Sequence, residues 1–116
     1  MLFQGFTKHP IVNFGKGCWG QDWYVDRISG RNIGIHGWCP LSFRGMLKKG
    51  ALIIKESEDG FCACRLKSIE WMDDPTDMFF AKVKWCTKTR HFTKDELNFI
   101  DRNLPQYVRS SKEVDI

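Results

Sequence analysis

Long hydrophobic runs are missing from this chain. No stretch approaches the roughly 18 apolar residues of a membrane helix, and Met1-Leu2-Phe3-Gln4-Gly5 has neither the charged n-region nor the apolar h-region of a secretion signal. A membrane partner is therefore not expected, and the expected location is the cytoplasm. The five cysteines, Cys18, Cys39, Cys62, Cys64 and Cys86, are odd in number and irregular in spacing, which argues against a disulfide framework and for buried free thiols. No internal repeat or low-complexity segment is present. Gly15-Lys16-Gly17 lacks the rest of a phosphate-binding loop, and no serine nucleophile motif occurs. Neither an enzyme nor a bound cofactor is expected on these grounds.

Aromatic residues, by contrast, are plentiful: nine Phe, five Trp and two Tyr in 116 residues. Disordered chains are poor in such residues, and a chain of this length has room for one core. We therefore expect a single domain over 1–108 with a polar tail over 109–116. The formal charge is a mild +4, unevenly distributed. Residues 1–92 carry fourteen basic and nine acidic side chains, +5, whereas 93–116 carry four and five, −1. A modest basic excess confined to the larger part suits nucleic acid or an acidic partner.

Glycines interrupt every apolar run in the first twenty residues, which read as irregular or edge structure. Trp23 to Ile28 and Ile33 to Trp38 flank the turn signal Ser29-Gly30-Arg31-Asn32 and resemble a hairpin. Cys39-Pro40 ends the second strand, and Leu41 to Gly50 reads as a loop. Ala51 to Lys55 is a short apolar strand, and Phe61 to Lys67 runs back from the Asp59-Gly60 turn. Within it Cys62, Cys64 and Leu66 share a face, after which the apolar set slips to Ile69 and Trp71. Such a slip predicts a β-bulge or bend near Lys67-Ser68. Following the turn at Asp73-Asp74-Pro75-Thr76-Asp77, the strand Met78 to Cys86 places Phe79, Ala81, Val83 and Trp85 on one face and Phe80, Lys82, Lys84 and Cys86 on the other. Thr93-Lys94-Asp95-Glu96 fits a capping box, with Phe92 and Leu97 at the staple positions. A helix over about 94–103 follows, with Leu97, Ile100 and Leu104 in its apolar stripe and Phe99 widening it.

These elements predict an α+β, mainly β domain: a small, strongly curved antiparallel barrel over about 23–86 with a C-terminal helix. Lys48-Lys49-Gly50-Ala51-Leu52-Ile53-Ile54, Asp59-Gly60, the long strand to Trp71 and Asp74-Pro75-Thr76-Asp77-Met78-Phe79-Phe80-Ala81-Lys82-Val83 together resemble an SH3-like barrel of the Tudor or KOW kind. Gly37-Trp38-Cys39-Pro40, with the stretch 74–79, is also similar to small uncharacterised bacteriophage proteins. The resemblance covers about a third of the chain. It implies a small-barrel fold and a viral origin, hence the host cytoplasm, and it implies no chemistry, because this fold hosts unrelated binding roles.

Four constellations stand out. His36, Cys39, Cys62 and Cys64 are zinc-type ligands on two segments, but their spacing departs from a Cys-x-x-Cys knuckle, and packed thiols are the simpler reading. Cys86 with His91 is a weaker pair, and Cys39 or Cys18 near His36 or His9 would lack an orienting third group. Asp73, Asp74 and Asp77 suit turn capping better than cation binding. The face formed by Phe80, Lys82 and Lys84 continues into Lys88 and Arg90, with Arg65 and Lys67 expected opposite. Lysines on a strand can merely guard an edge, but cations interleaved with an exposed ring also suit phosphates and stacked bases. Trp19, Trp23 and Trp38 cluster near glycines and are either core residues or the anchors of a protein interface. The expected function is thus non-catalytic binding. Nucleic acid on Arg65, Lys67, Phe80, Lys82, Lys84, Lys88 and Arg90 is the first expectation. The alternative is a phage-encoded inhibitor or assembly component holding a host protein through Trp19, Trp23 and Trp38.

Overall fold

The fold is that of a computed structural model, which describes residues 2–3, 9–17, 20–30 and 32–104. Seven strands form one sheet: β1 (Leu2–Phe3), β2 (Ile11–Asn13), β3 (Asp22–Ser29), β4 (Asn32–Trp38), β5 (Leu52–Ser57), β6 (Gly60–Trp71) and β7 (Met78–Trp85), in the order β1-β2-β5-β6-β7-β4-β3. One helix, α1 (Lys94–Asn103), follows them, so the domain is mainly β with a C-terminal helix, as expected. Both expected hairpins form, β3 with β4 and β5 with β6. The predicted phase slip is present as a register shift between Leu66 and Ser68, and it returns Ile69 and Trp71 to the face that carries Leu66.

Three details differ from the sequence reading. The N-terminal segment is not merely irregular: β2 pairs with β5, and it does so in parallel, so the sheet is mixed rather than antiparallel. A parallel neighbour requires a long crossover, and here the whole β3–β4 hairpin intervenes. The loop after Pro40 contains a 3₁₀ helix, Leu41–Met46, whose Phe43 and Met46 pack on the core while Arg44 lies 4.6 Å over the Trp71 ring. Finally, no ladder joins the end strands among the described residues, so the sheet is not hydrogen-bonded into a closed barrel.

The sheet nonetheless curls. β3 and β5 lie four places apart in the strand order, about 19 Å along a flat sheet at roughly 4.8 Å per step. Yet Lys55 of β5 donates to the Trp23 carbonyl at 3.0 Å and pairs with Asp22 at 2.8 Å, both on β3. The space enclosed holds the main core, in which Val12, Phe14, Trp23, Ile53, Leu66 and Phe79 are buried. Gly37 is required by this packing, since a Cβ there would stand 2.6 Å from the Phe79 ring and 2.9 Å from Trp23 Cβ.

A second, smaller core lies on the outer face, where Phe99 and Ile100 of α1 and the Leu104 that caps it pack with Leu52, Ile54, Ala63 and Cys86. The capping box forms: Thr93 Oγ1 accepts from the Glu96 amide at 3.2 Å, and Glu96 Oε1 accepts from the Thr93 amide at 2.8 Å. The stripe is rotated from the expected one, however. Glu96 is buried and Leu97 is only half-buried, because the Glu96 carboxylate meets the guanidinium of Arg65 beneath the helix.

Candidate functional site

The helix covers only the β5 end of the outer face. Beyond it no helix among the described residues lies over the outward positions of β6, β7, β4 and β3, and the ladder register arranges them in rows. Tyr24 pairs with His36, His36 with Phe80, and Phe80 with Glu70, forming one row across four strands. The His36 and Phe80 rings are stacked, with centroids 4.5 Å apart and planes 13° apart. A 2.8 Å hydrogen bond joins the Tyr24 hydroxyl to His36 Nδ1, and Trp38 meets both rings edge-on at 6.2 Å. Phe80 remains 40% exposed in spite of this stack, a shape suited to receive another flat ring.

The adjacent row runs Arg27, Gly34, Lys82 and Ser68. Gly34 contributes no side chain, and the gap becomes the floor of a cleft of about 710 Å³ walled by Asp26, Arg27, Lys82, Glu70 and Phe80. Two ion pairs occur among the described residues, Lys55–Asp22 and Arg65–Glu96. The four charged groups around the cleft belong to neither, so their hydrogen-bonding capacity is available to a ligand.

From Lys84 the basic character continues to the 3₁₀ helix Thr89–His91. His91 Nδ1 accepts from the amides of Thr87 and Lys88, each at 3.0 Å. Desolvation, followed by the charges of Arg90, Lys84, Lys88 and Arg65, holds its imidazole below the ordinary histidine range. Lys84 and Arg90 are exposed and Lys88 half-buried along this stretch, which extends the basic band that begins at Lys82.

Of the residues expected to bind nucleic acid, Phe80, Lys82 and Lys84 share the exposed face of β7, Lys88 and Arg90 extend it, and Lys67 is exposed at the β6 bulge. Arg65 has to be removed from that set. Its guanidinium pairs with both oxygens of Glu96 and donates to the carbonyls of His91 at 2.8 Å and Gly50 at 3.2 Å. It serves as a latch beneath α1.

The aromatic N-terminal surface is also corrected. Trp23 is 1% exposed and packs 6.3 Å from Trp85 in the main core, whereas Trp38 is half-buried against Tyr24 and His36 on the outer face. Trp19 lies outside the described residues, as do Cys18 and the 109–116 tail. The four zinc-type ligands are not assembled either. His36 is on the outer face, Cys39 and Cys64 are buried in the main core, and no group of three or more His, Cys, Asp or Glu among the described residues is placed to hold a metal ion. Burial pushes the Cys39 thiol up to about 11, with Asp77 adding to the effect, and raises Cys64 as well, opposite to the activation a thiolate nucleophile needs.

Tyr24, Arg27, Gly34 and Glu70 were absent from the expected site, and His36 was considered only as a metal ligand or as the partner of a cysteine nucleophile. The alternation Ile33-Gly34-Ile35-His36 carried the missing signal, because once the isoleucines face the core Gly34 and His36 must face outward. No helix among the described residues is long and apolar enough to cross a membrane. No protein-family model, curated protein or solved structure matches this chain.

Proposed function

We propose that this protein binds single-stranded nucleic acid on the open half of its outer sheet face. The observation that carries the reading is the exposed Phe80 ring, backed by His36, beside a cleft over Gly34 that Lys82 and Arg27 also wall. Stacking on an aromatic ring is worth about 1–3 kcal/mol per base and requires unpaired bases, which favours a single strand over a duplex. Lys82 and Lys84, with Lys88 and Arg90 around His91, form the track for phosphates. The curl that brings Lys55 onto β3 supports an SH3-like relationship, an architecture that uses such sheet faces for unrelated ligands.

The test is a salt titration with fluorescent 12-mers of deoxythymidine and of uridine. Affinity should fall linearly with the logarithm of salt, and replacing Lys82, Lys84 and Lys88 together with Gln should flatten the slope by about two to three contacts. Absence of binding at low salt would refute the reading.

A second reading rests on the edge strand β3, where Ile28 is 67% exposed and Val25 is also exposed. A host protein adding a strand there would make this an inhibitor or assembly component of viral origin. The register shift between Val25 and Arg27 disfavours long pairing along that edge. Capture of a host partner that is lost on Ile28→Lys would favour this reading, and retention of the partner by that variant would dismiss it.

A further inference from the structure

We infer that the cleft above Gly34 is a base-reading pocket selective for guanine, an inference that rests on the single-strand reading above. The cleft is not simply basic. Asp26 and Glu70 stand among its walls with Arg27 and Lys82, which makes it a poor seat for a phosphate and a good one for a group offering donors and acceptors together.

The register fixes the sides of the pocket. His36 and Glu70 lie on the two strands flanking Phe80, and both are directly opposite it. His36 covers one face of the Phe80 ring, so the remaining face is turned toward β6 and Glu70. A base continuing the His36–Phe80 stack is thereby delivered to Glu70, whose carboxylate accepts hydrogen bonds and donates none. Among the four bases, guanine alone presents two adjacent donors, N1–H and N2–H, on one edge, with the acceptor O6 beside them. Glu70 can accept from both donors, while Lys82, one row along on β7, supplies a cation for O6. Uracil and thymine offer one ring N–H, and adenine and cytosine offer an exocyclic amine next to a ring acceptor that would face the carboxylate unpaired. Gly34 completes the pocket, since a larger side chain at that position would start 3.6 Å from Arg27 Cβ and extend into the cleft that Gly34 lines.

Pentanucleotides T-T-X-T-T, with X as guanine, hypoxanthine, adenine, cytosine or thymine, and their ribose counterparts provide the test by fluorescence anisotropy at low salt. The guanine strand should bind about tenfold more tightly than the thymine strand, the usual worth of a bidentate base contact. Hypoxanthine, which lacks the N2 amine, should lose most of that preference. Glu70→Gln should bind all five strands with similar affinity while keeping the salt dependence of the parent. Equal affinity for all five in the parent protein would overturn guanine selectivity and leave the binding reading standing. A guanine preference that survives in Glu70→Gln would also overturn it, because the base would then be read elsewhere. Failure of every pentanucleotide to bind would remove both readings.

Discussion

The two halves of the outer sheet face arise from the same strands and differ in one respect, whether a helix lies over them. On the β5 side, α1 seals Leu52, Ile54 and Ala63 and pairs its own Glu96 with Arg65, so apolar area and charge are both consumed internally. On the β4 side no helix among the described residues lies over the sheet: Tyr24, Phe80 and Lys82 are exposed, His36 is half-buried among the neighbouring rings, and the charged groups there are left to solvent. β6 and the segment from β7 to Cys86 contribute to both halves: Ala63 and Arg65 lie under the helix while Glu70 is open, and Cys86, just past β7, lies under it while Phe80 and Lys82 are open. The contrast teaches that a polar residue on a strand carries no label of its purpose. Arg65 and Lys84 are direct cross-strand partners, yet one is a structural latch and the other a surface charge.

Removing the latch should break the sealed half most severely. Glu96→Ala leaves the Arg65 guanidinium beneath the helix without its carboxylate and deletes half of the capping box. Loss of one partner of a buried pair costs about 3–5 kcal/mol, and the partial exposure of Arg65 places this case near the lower end. The urea midpoint should fall accordingly. Acid should produce a milder version of the same loss. Burial alone would raise the Glu96 carboxyl, but the hydrogen bonds and charge of Arg65, with the Thr93 amide, outweigh it and hold the group below its ordinary 4.5. The folded carboxyl therefore binds its proton less readily than the unfolded one. The resulting stabilisation is complete above 4.5 and disappears as pH falls through the folded value. Glu96→Gln, compared with the parent at pH 7 and pH 3 in urea, should lose this part of the pH dependence. An unchanged difference between the two pH values would show that other carboxylates dominate.

Truncating Ile100, on the buried face of α1, to Ala should cost about 2–3 kcal/mol in the same assay, the lower part of the range for buried aliphatics because the core beneath α1 is small. Phe80→Ala is the counterpart on the open half. It removes a larger side chain, but one that water already touches, and its effect on stability should stay under about 1 kcal/mol. Binding of single strands should weaken by about 1–3 kcal/mol, as expected for a lost stacking platform. If Phe80→Ala instead unfolded the protein as readily as Ile100→Ala, the open half would be a second core and not a binding surface.

Local patterns in the sequence located most of this architecture. The capping box placed α1 over 94–103, because it is a contact between residues three apart. The slip at Lys67-Ser68 revealed the β6 bulge for the same local reason. What was illegible depended on residues far apart in the chain. The parallel β2–β5 pair joins segments some forty positions apart, Ile11 with Leu52, and no turn residue announces it. Likewise the fate of Arg65 was decided by Glu96, 31 positions away. A basic residue alternating outward on a strand looks the same from sequence whether a helix or solvent waits above it. The cleft was hidden for a further reason: it is defined by an absence, the missing side chain of Gly34, flanked by groups from three other strands.

The two glycines of β4 offer the finest probe of the contrast, since Gly37 faces the main core and Gly34 faces outward. At Gly37 a methyl group would meet Phe79 at 2.6 Å and the Asp22 carbonyl at 2.9 Å, so Gly37→Ala must displace packed atoms and should cost about 1–3 kcal/mol. At Gly34 the nearest neighbours of an added Cβ are Arg27 Cβ at 3.6 Å and the Ala81 carbonyl at 3.8 Å, ordinary contact distances. Its backbone also lies outside the left-handed region. Glycine within a strand is less favourable than alanine by about 0.5–1 kcal/mol, chiefly through the entropy of the unfolded chain. Gly34→Ala should therefore raise the midpoint slightly, while Gly34→Leu should keep the fold and fill the cleft. Titrating the guanine pentanucleotide against these variants would then separate packing from recognition: affinity should decline from Gly to Ala to Leu while stability does not. A parallel decline in stability would mean that Gly34, like Gly37, is there for the fold.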